Sequence, residues 1–247
     1  MKRRRRLGQH FLRDYTVAEQ IASEVPPGVD VIEVGPGQGA LTTALAKKAR
    51  VVYAIEVDAR LVERLRSSAP PNVVVIHGDA LEVEWPPAQF FASNIPYSIT
   101  SPLLLKLTRY RLPAVVTIQK EVAERLTAEP GGENYGRLTV AVRCHYDVEI
   151  LRVLPPAAFY PPPRVYSAVV KLTPRRPCVE DFEKFQQFTA ALFSARRKTL
   201  RRLKLADSDK RVYQLTIDEI VYLYNVYNSD RSHPREAMPS MRDRAKA

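Results

Sequence analysis

The sequence predicts an α/β fold, an open and mostly parallel sheet followed by a smaller helical segment. Three observations predict it. Short, apolar, β-branched runs alternate with helix-patterned stretches from residue 31 onward. Four of these runs in succession end in a glycine or polar cluster: Gly35-Pro36-Gly37-Gln38-Gly39, Glu56, Gly78-Asp79 and Asn94. The composition then shifts at Thr173-Pro174-Arg175-Arg176-Pro177, after which helical spacing prevails. In an open α/β sheet the strand ends line one crevice, and ligands bind there. The expected organisation is therefore a domain over 1–175, with a basic arm at 1–6, and a helical domain over 176–247.

Composition sets the outer limits. The chain has 247 residues, and a hydrophobic share of 45% is ample for a core. No run of 18 apolar residues exists, so no membrane span is expected. The basic N-terminus lacks a following apolar stretch, which excludes a signal peptide. Two cysteines, Cys144 and Cys178, carry neither metal-ligand spacing nor a disulfide framework, so a reducing cytoplasm and no metal are expected. A net charge of +11 calls for a polyanionic partner. Nucleic acid fits better than membrane, because no basic segment has a strong apolar face. Pro 20 against Gly 9 suits a heat-adapted protein.

Each element has its own warrant. Asp14 is placed to cap a helix reaching about residue 25. Residues 31–34 read as a strand, the glycine-rich turn follows, and a helix runs over 40–48. The pattern Glu-x-Gly-x-Gly-x-Gly resembles a nucleotide-binding strand–turn–helix without being a P-loop. A strand over 51–55 delivers Glu56, 21 residues after Gly35, the spacing at which a carboxylate meets a ribose diol. Asp58 competes for that role, and a helix cap is the plainer use of either. The strand over 73–76 leads to Asp79, an acceptor suited to an adenine amine. Further strands are expected at 90–92, 114–118, 147–154 and 166–172. Helices are expected at 102–109, 119–128, 180–194 and 216–227. Residues 130–136 read as a loop that orders on substrate binding. The triple proline after Phe159-Tyr160 reads as a stiff spacer, either a plain connector or a support holding Phe159 over the crevice mouth.

Asn94-Ile95-Pro96-Tyr97 carries the most chemistry. The Asn carbonyl and the Ile95 backbone carbonyl can each accept a hydrogen bond from a planar amine. Pro96 restrains the backbone, and Tyr97 offers a ring to stack on. A plain turn uses the same residues. Farther on, Arg196, Arg197, Lys198, Arg201, Arg202 and Lys204 fall within nine residues. On a helix they would cover most of its circumference, which suits phosphate binding better than a salt-bridged face.

Taken together, these stretches resemble the KsgA-type rRNA adenine N6,N6-dimethyltransferases, and of a thermophilic or archaeal kind. The resemblance rests on Leu7-Gly8-Gln9-His10-Phe11-Leu12, Glu33-Val34-Gly35-Pro36-Gly37-Gln38-Gly39, Glu56 with Asp58, and Gly78-Asp79-Ala80. It continues through Asn94-Ile95-Pro96-Tyr97, Gln119-Lys120-Glu121-Val122, Tyr135-Gly136-Arg137-Leu138, Phe159-Tyr160-Pro161-Pro162-Pro163-Arg164-Val165 and Arg196-Arg197-Lys198-Thr199-Leu200. It implies a Rossmann-like, seven-stranded S-adenosylmethionine-dependent methyltransferase domain plus a small C-terminal helical domain. The implied substrate is a pair of adjacent adenines near the 3′ end of small-subunit rRNA in a pre-30S particle, acted on by a cytoplasmic monomer. It also implies cofactor contacts at His10, Leu12, Gly35, Gly37, Glu56, Asp79 and Asn94. Asn94, Ile95, Pro96 and Tyr97 would hold the target base, Phe159 would stack on it, and Arg196, Arg197, Lys198, Arg201 and Arg202 would bind RNA. The alternatives are an Erm-type enzyme acting on large-subunit rRNA, or a ribosome-assembly RNA-binding factor without turnover.

Overall fold

The structure is a computed structural model, described here over residues 10–229. The basic arm at 2–6, the start of the first motif (Leu7, Gly8 and Gln9) and the charged tail at 242–247 lie outside the described residues. By their contacts the chain forms two units. One comprises residues up to Ala123 together with Tyr146–Pro174, and the other comprises Glu124–His145 with the residues from Arg175 on. The sequence reading left 124–145 in the first domain, but these residues pack with the C-terminal helices.

The first unit is built on a sheet whose strands are β2 (Asp30–Val34), β3 (Val51–Glu56), β4 (Val73–His77), β5 (Phe90–Asn94), β6 (Ala114–Gln119), β7 (Tyr146–Leu154) and β9 (Ser167–Pro174). Their order is β4-β3-β2-β5-β6-β9-β7. The first five run parallel, and β9 is antiparallel to both β6 and β7. All five residues of β2 are buried, as expected for a central parallel strand covered on both faces. The chain steps outward from β2 through β3 to β4, then returns to place β5 on the other side of β2. That reversal opens a crevice at the carboxyl ends of β2 and β5.

Helices over the sheet follow their caps. Asp14 accepts the Thr16 N–H at 2.9 Å and opens α1 (Tyr15–Ser23), which buries Val17, Ala18, Ile21 and Ala22. The helix α2 (Ala40–Ala46) leaves the glycine turn. Asp58 accepts the Arg60 N–H at 3.0 Å and opens α3 (Ala59–Ser68). After β5, a single 3₁₀ turn leads into α4 (Thr100–Tyr110), and α5 (Lys120–Leu126) follows β6. Two very short strands, β1 (Phe11–Leu12) and β8 (Phe159–Tyr160), pair antiparallel with Leu12 opposite Phe159. Neither is long enough to show a period in sequence.

The second unit has its own core. Tyr135, Val140, Phe185, Phe188, Leu192, Val212, Ile220 and Tyr224 cluster there, from α6 (Arg137–Arg143), α7 (Phe182–Ser194), α8 (Ile217–Ser229) and the segments between them. Cys144 and Cys178 are joined by a disulfide, where the sequence showed no disulfide framework and suggested a reducing compartment. Their 34-residue separation hides the pairing, which is set up by backbone contacts: Arg175 N donates to His145 O at 2.8 Å and Cys178 N to Cys144 O at 3.0 Å. The loop at 130–136 is also already ordered. Gly131 N donates to Tyr213 O, Arg196 Nη2 donates to the carbonyls of Glu133 and Tyr135, and the Tyr135 hydroxyl donates to Leu215 O.

Candidate active site

The crevice at the strand ends is lined by His10, Phe11, Leu12, Glu33, Gly35, Gly37, Glu56, Asp79, Asn94, Ile95, Pro96 and Tyr97, among others. It spans about 1060 Å³, open solvent at the mouth included. Ten residues expected from the sequence are thus brought together.

The glycine turn shapes its floor. Gly35 and Gly37 have φ of 67° and 58°, backbone that an L side chain rarely adopts. A Cβ on Gly37 would lie 2.7 Å from the Phe11 ring, and one on Gly35 would lie 3.0 Å from Pro96. The turn therefore seats both the first strand and the Asn-Ile-Pro-Tyr loop directly on its backbone.

Glu56 is 4% exposed. Its carboxylate accepts the N–H groups of Gly37 (3.2 Å), Val57 and Asp58 (both 2.9 Å). Burial pushes the carboxyl above its usual range, and these donors pull the other way. Asp58, the rival in sequence, is engaged as the α3 cap and with Arg60. Asp79 Oδ1 accepts the Leu81 N–H at 2.8 Å, and its other oxygen has no partner among the described residues.

Asn94 is the most telling side chain. Its Nδ2 donates to the His10 carbonyl at 3.0 Å, which fixes the amide's orientation. Its Oδ1 is buried and has no hydrogen-bond partner among the described residues. A buried acceptor left open costs stability unless a ligand meets it. Next to it, the Ile95 N–H donates to Thr117 O at 3.1 Å, tying the loop to β6. The Tyr97 ring lies 5.3 Å from that of His10, and its hydroxyl meets Ser167 Oγ at 2.5 Å. His10 Nδ1 in turn sits 2.7 Å from the Pro161 carbonyl.

Phe159 does not belong to this crevice. It is 2% exposed, packed in the core with Leu12 and Ala158, because its strand pairs inward with β1. The expectation that it stacks on a base at the mouth is therefore corrected; the open ring is that of Tyr160. The basic cluster is corrected in part. Residues 196–204 form turns rather than a helix. Arg196 is held inside its unit by two carbonyls and lies 5.5 Å from the Tyr213 ring centroid. Arg201 pairs with Asp207 and Asp209. Arg197 and Arg202 remain exposed, and Lys198 half-exposed, with no carboxylate partner among the described residues.

Sequence reasoning gave no role to Glu33, which lies in the crevice wall at 1% exposure with Oε2 unpartnered among the described residues. Burial pushes its carboxyl up to about 8. The signal was present: a carboxylate between Ile32 and Val34 of a central strand is a rare thing to bury.

This sheet, with its glycine turn, the buried Glu56 and the Asn-Ile-Pro-Tyr loop around one crevice, defines a methyltransferase of the S-adenosylmethionine-dependent class. The chain belongs to the ribosomal RNA adenine dimethylase family, whose family model matches residues 1–228. It is 74% identical over 221 residues to the probable ribosomal RNA small subunit methyltransferase A of Pyrobaculum islandicum, covering 90% of this chain and 94% of that protein. Among solved structures it is similar to a dimethyladenosine transferase from Plasmodium falciparum, with TM-score 0.80 and 28% identity, covering 90% of this chain and 98% of the other. It is also similar to the 23S rRNA methyltransferase ErmE, with TM-score 0.63 and 28% identity, covering 87% and 98%. The residues present fit the methyl donor. The turn lines the crevice with bare backbone at Gly35 and Gly37, Glu56 is held as a fixed acceptor, and Asn94 Oδ1 is an open one among the described residues.

Proposed function

We propose that this protein transfers methyl groups to the N6 amines of two adjacent adenines near the 3′ end of small-subunit rRNA, within a pre-30S particle in the cytoplasm, and that it does so as a monomer. The observation that carries this reading is Asn94, with its amide nitrogen anchored on His10 and its carbonyl oxygen left open.

S-adenosylmethionine, when bound, supplies a methyl group already activated on a sulfonium. Glu56 would hold its ribose hydroxyls, Asp79 its adenine, and the glycine turn the remainder. An adenine amine is a poor nucleophile because its lone pair is delocalised into the ring. Asn94 Oδ1 and the Ile95 carbonyl accept its two N–H groups, which favours a tetrahedral nitrogen with a localised lone pair. Catalysis on this reading is positioning plus electrostatic stabilisation, without a strong base. The adenine must leave its stack to reach the crevice, and Tyr97 offsets part of that cost. Arg197, Lys198 and Arg202 supply phosphate contacts.

The small-subunit reading is supported by the 74% identity to a relative named as a probable ribosomal RNA small subunit methyltransferase A. The test is transfer from labelled S-adenosylmethionine to 30S subunits lacking the modification, beside 50S subunits, with nucleoside analysis. N6,N6-dimethyladenosine in the small-subunit RNA is expected. Label confined to the large subunit would transfer the assignment to the Erm-type reaction, and no label with cofactor still bound would leave a binding factor.

A further inference from the structure

A second cavity lies across the Phe11–Leu12 strand from the methyl-donor crevice, and both residues line each. It spans about 1120 Å³, open solvent included. Arg13, Tyr15, Arg64 and Tyr160 surround it, each from a different part of the unit. Arg13 follows β1, Tyr15 opens α1, Arg64 lies on α3, and Tyr160 ends β8, where it pairs with Phe11.

Two features characterise these four residues. The rings are unusually open: Tyr15 is 71% and Tyr160 64% exposed. Both guanidinium groups are exposed and have no partner among the described residues, unlike those of Arg50, Arg60, Arg143 and Arg201. The neighbouring acids are engaged elsewhere, Asp14 with Thr16 and Glu63 with Arg66. Open rings interleaved with unpaired cations around a cavity match what single-stranded nucleic acid requires: faces for bases and charge for phosphates. The cavity also lies close to where the target base would sit. His10, which holds the Asn94 amide, immediately precedes Phe11 in its wall.

We propose that this cavity holds an unstacked nucleotide of the RNA strand beside the target adenine, its base against Tyr15 and Tyr160 and its phosphate against Arg13 and Arg64. The inference rests on the RNA-methylating reading above and adds where the flanking strand runs.

The test is binding of a short, fluorescein-labelled, single-stranded oligoribonucleotide containing two adjacent adenines, measured by anisotropy at several salt concentrations. The full-length protein is compared with Tyr15→Ala/Tyr160→Ala and Arg13→Gln/Arg64→Gln, all four positions being exposed. Calorimetric binding of S-adenosylmethionine serves as the control for folding. Each pair is expected to weaken oligonucleotide binding about tenfold. The arginine pair should also lower the salt slope by about 0.7 for each phosphate that is no longer neutralised, and cofactor affinity should stay within twofold. Oligonucleotide affinity within twofold of the unaltered protein in both variants overturns the proposal. So does adenosine 5′-monophosphate binding as tightly as the oligomer and abolished in the same variants, which would make the ligand a free nucleotide. Because the oligomer binds without turnover, the site is tested whether or not methyl transfer occurs. Transfer with an unchanged KM for RNA in both variants would remove the site and leave the proposed function standing.

Discussion

Reducing the Cys144–Cys178 disulfide should destabilise the protein by an amount that depends on what unfolds with it. The bond closes a 34-residue separation. In the chain-entropy relation that constraint is worth about 4 kcal/mol against complete unfolding at 25 °C. The strands enclosed by the loop change this figure when only part of the chain opens. Tyr146 and Pro174 are already paired in the β7–β9 register. While that pairing persists, the disulfide closes only about six further residues, and the same relation gives about 2 kcal/mol. The second unit opening alone should therefore lose about half the benefit lost in global unfolding. The assay is guanidinium denaturation of oxidised and dithiothreitol-reduced protein, with a Cys144→Ser/Cys178→Ser variant as a check. Trp85 is the single tryptophan of the chain and lies in the first unit, so its fluorescence follows that unit. Hydrogen exchange at the amides of α7 follows the other. Changes below about 1 kcal/mol at both probes would refute the reasoning.

Three further outcomes are expected. Asn94→Ala removes the open acceptor, so methyl transfer should fall by at least a hundredfold while calorimetry finds cofactor affinity largely kept. Burial raises the Glu33 carboxyl to about 8 against an ordinary 4.5, so it stays protonated in the fold where the unfolded chain would ionise. Stability should thus be full below about pH 4.5 and decline towards pH 8 by roughly 1.4 kcal/mol per unit; Glu33→Gln should flatten that profile in denaturation midpoints measured across the range. Neutralising Arg197, Lys198 and Arg202 together should lower the salt slope of RNA binding by about 2 with little change in Tm, whereas Arg196→Ala should cost about 1–3 kcal/mol of stability through the carbonyls it leaves unpaired.

The sheet was legible because most of its strands are largely apolar runs bounded by turn chemistry, and the crevice because four strand ends carry polar or glycine residues in succession. Asp14 was readable as a cap from the helical spacing that follows it, whereas the helix that Asp58 opens was not expected. What stayed hidden depends on pairing across long separations. The strands β1 and β8 are two residues each and exist only through one another, so Phe159 read as an open ring when its partner Leu12 turns it into the core. The seven-residue helix α6 is too short for its period to stand out. Arg196 and Arg201 look alike in a row of cations, and only the fold reveals that one braces a loop and the other meets two aspartates. The disulfide is invisible for the same reason: two cysteines far apart carry no spacing signal.

The pairing of Phe11–Leu12 with Phe159–Tyr160 also has a consequence for synthesis. A ribosome making this chain completes the glycine turn, Glu56 and Asn94 in its first hundred or so residues. The wall supplied by His10 and Leu12 has no strand partner until residues 159–160 have left the exit tunnel. A nascent chain stalled before that point would display most of the cofactor-facing residues without the side of the crevice that closes on them. Methyl-donor capture would then begin late in translation, as a by-product of which strands happen to be neighbours.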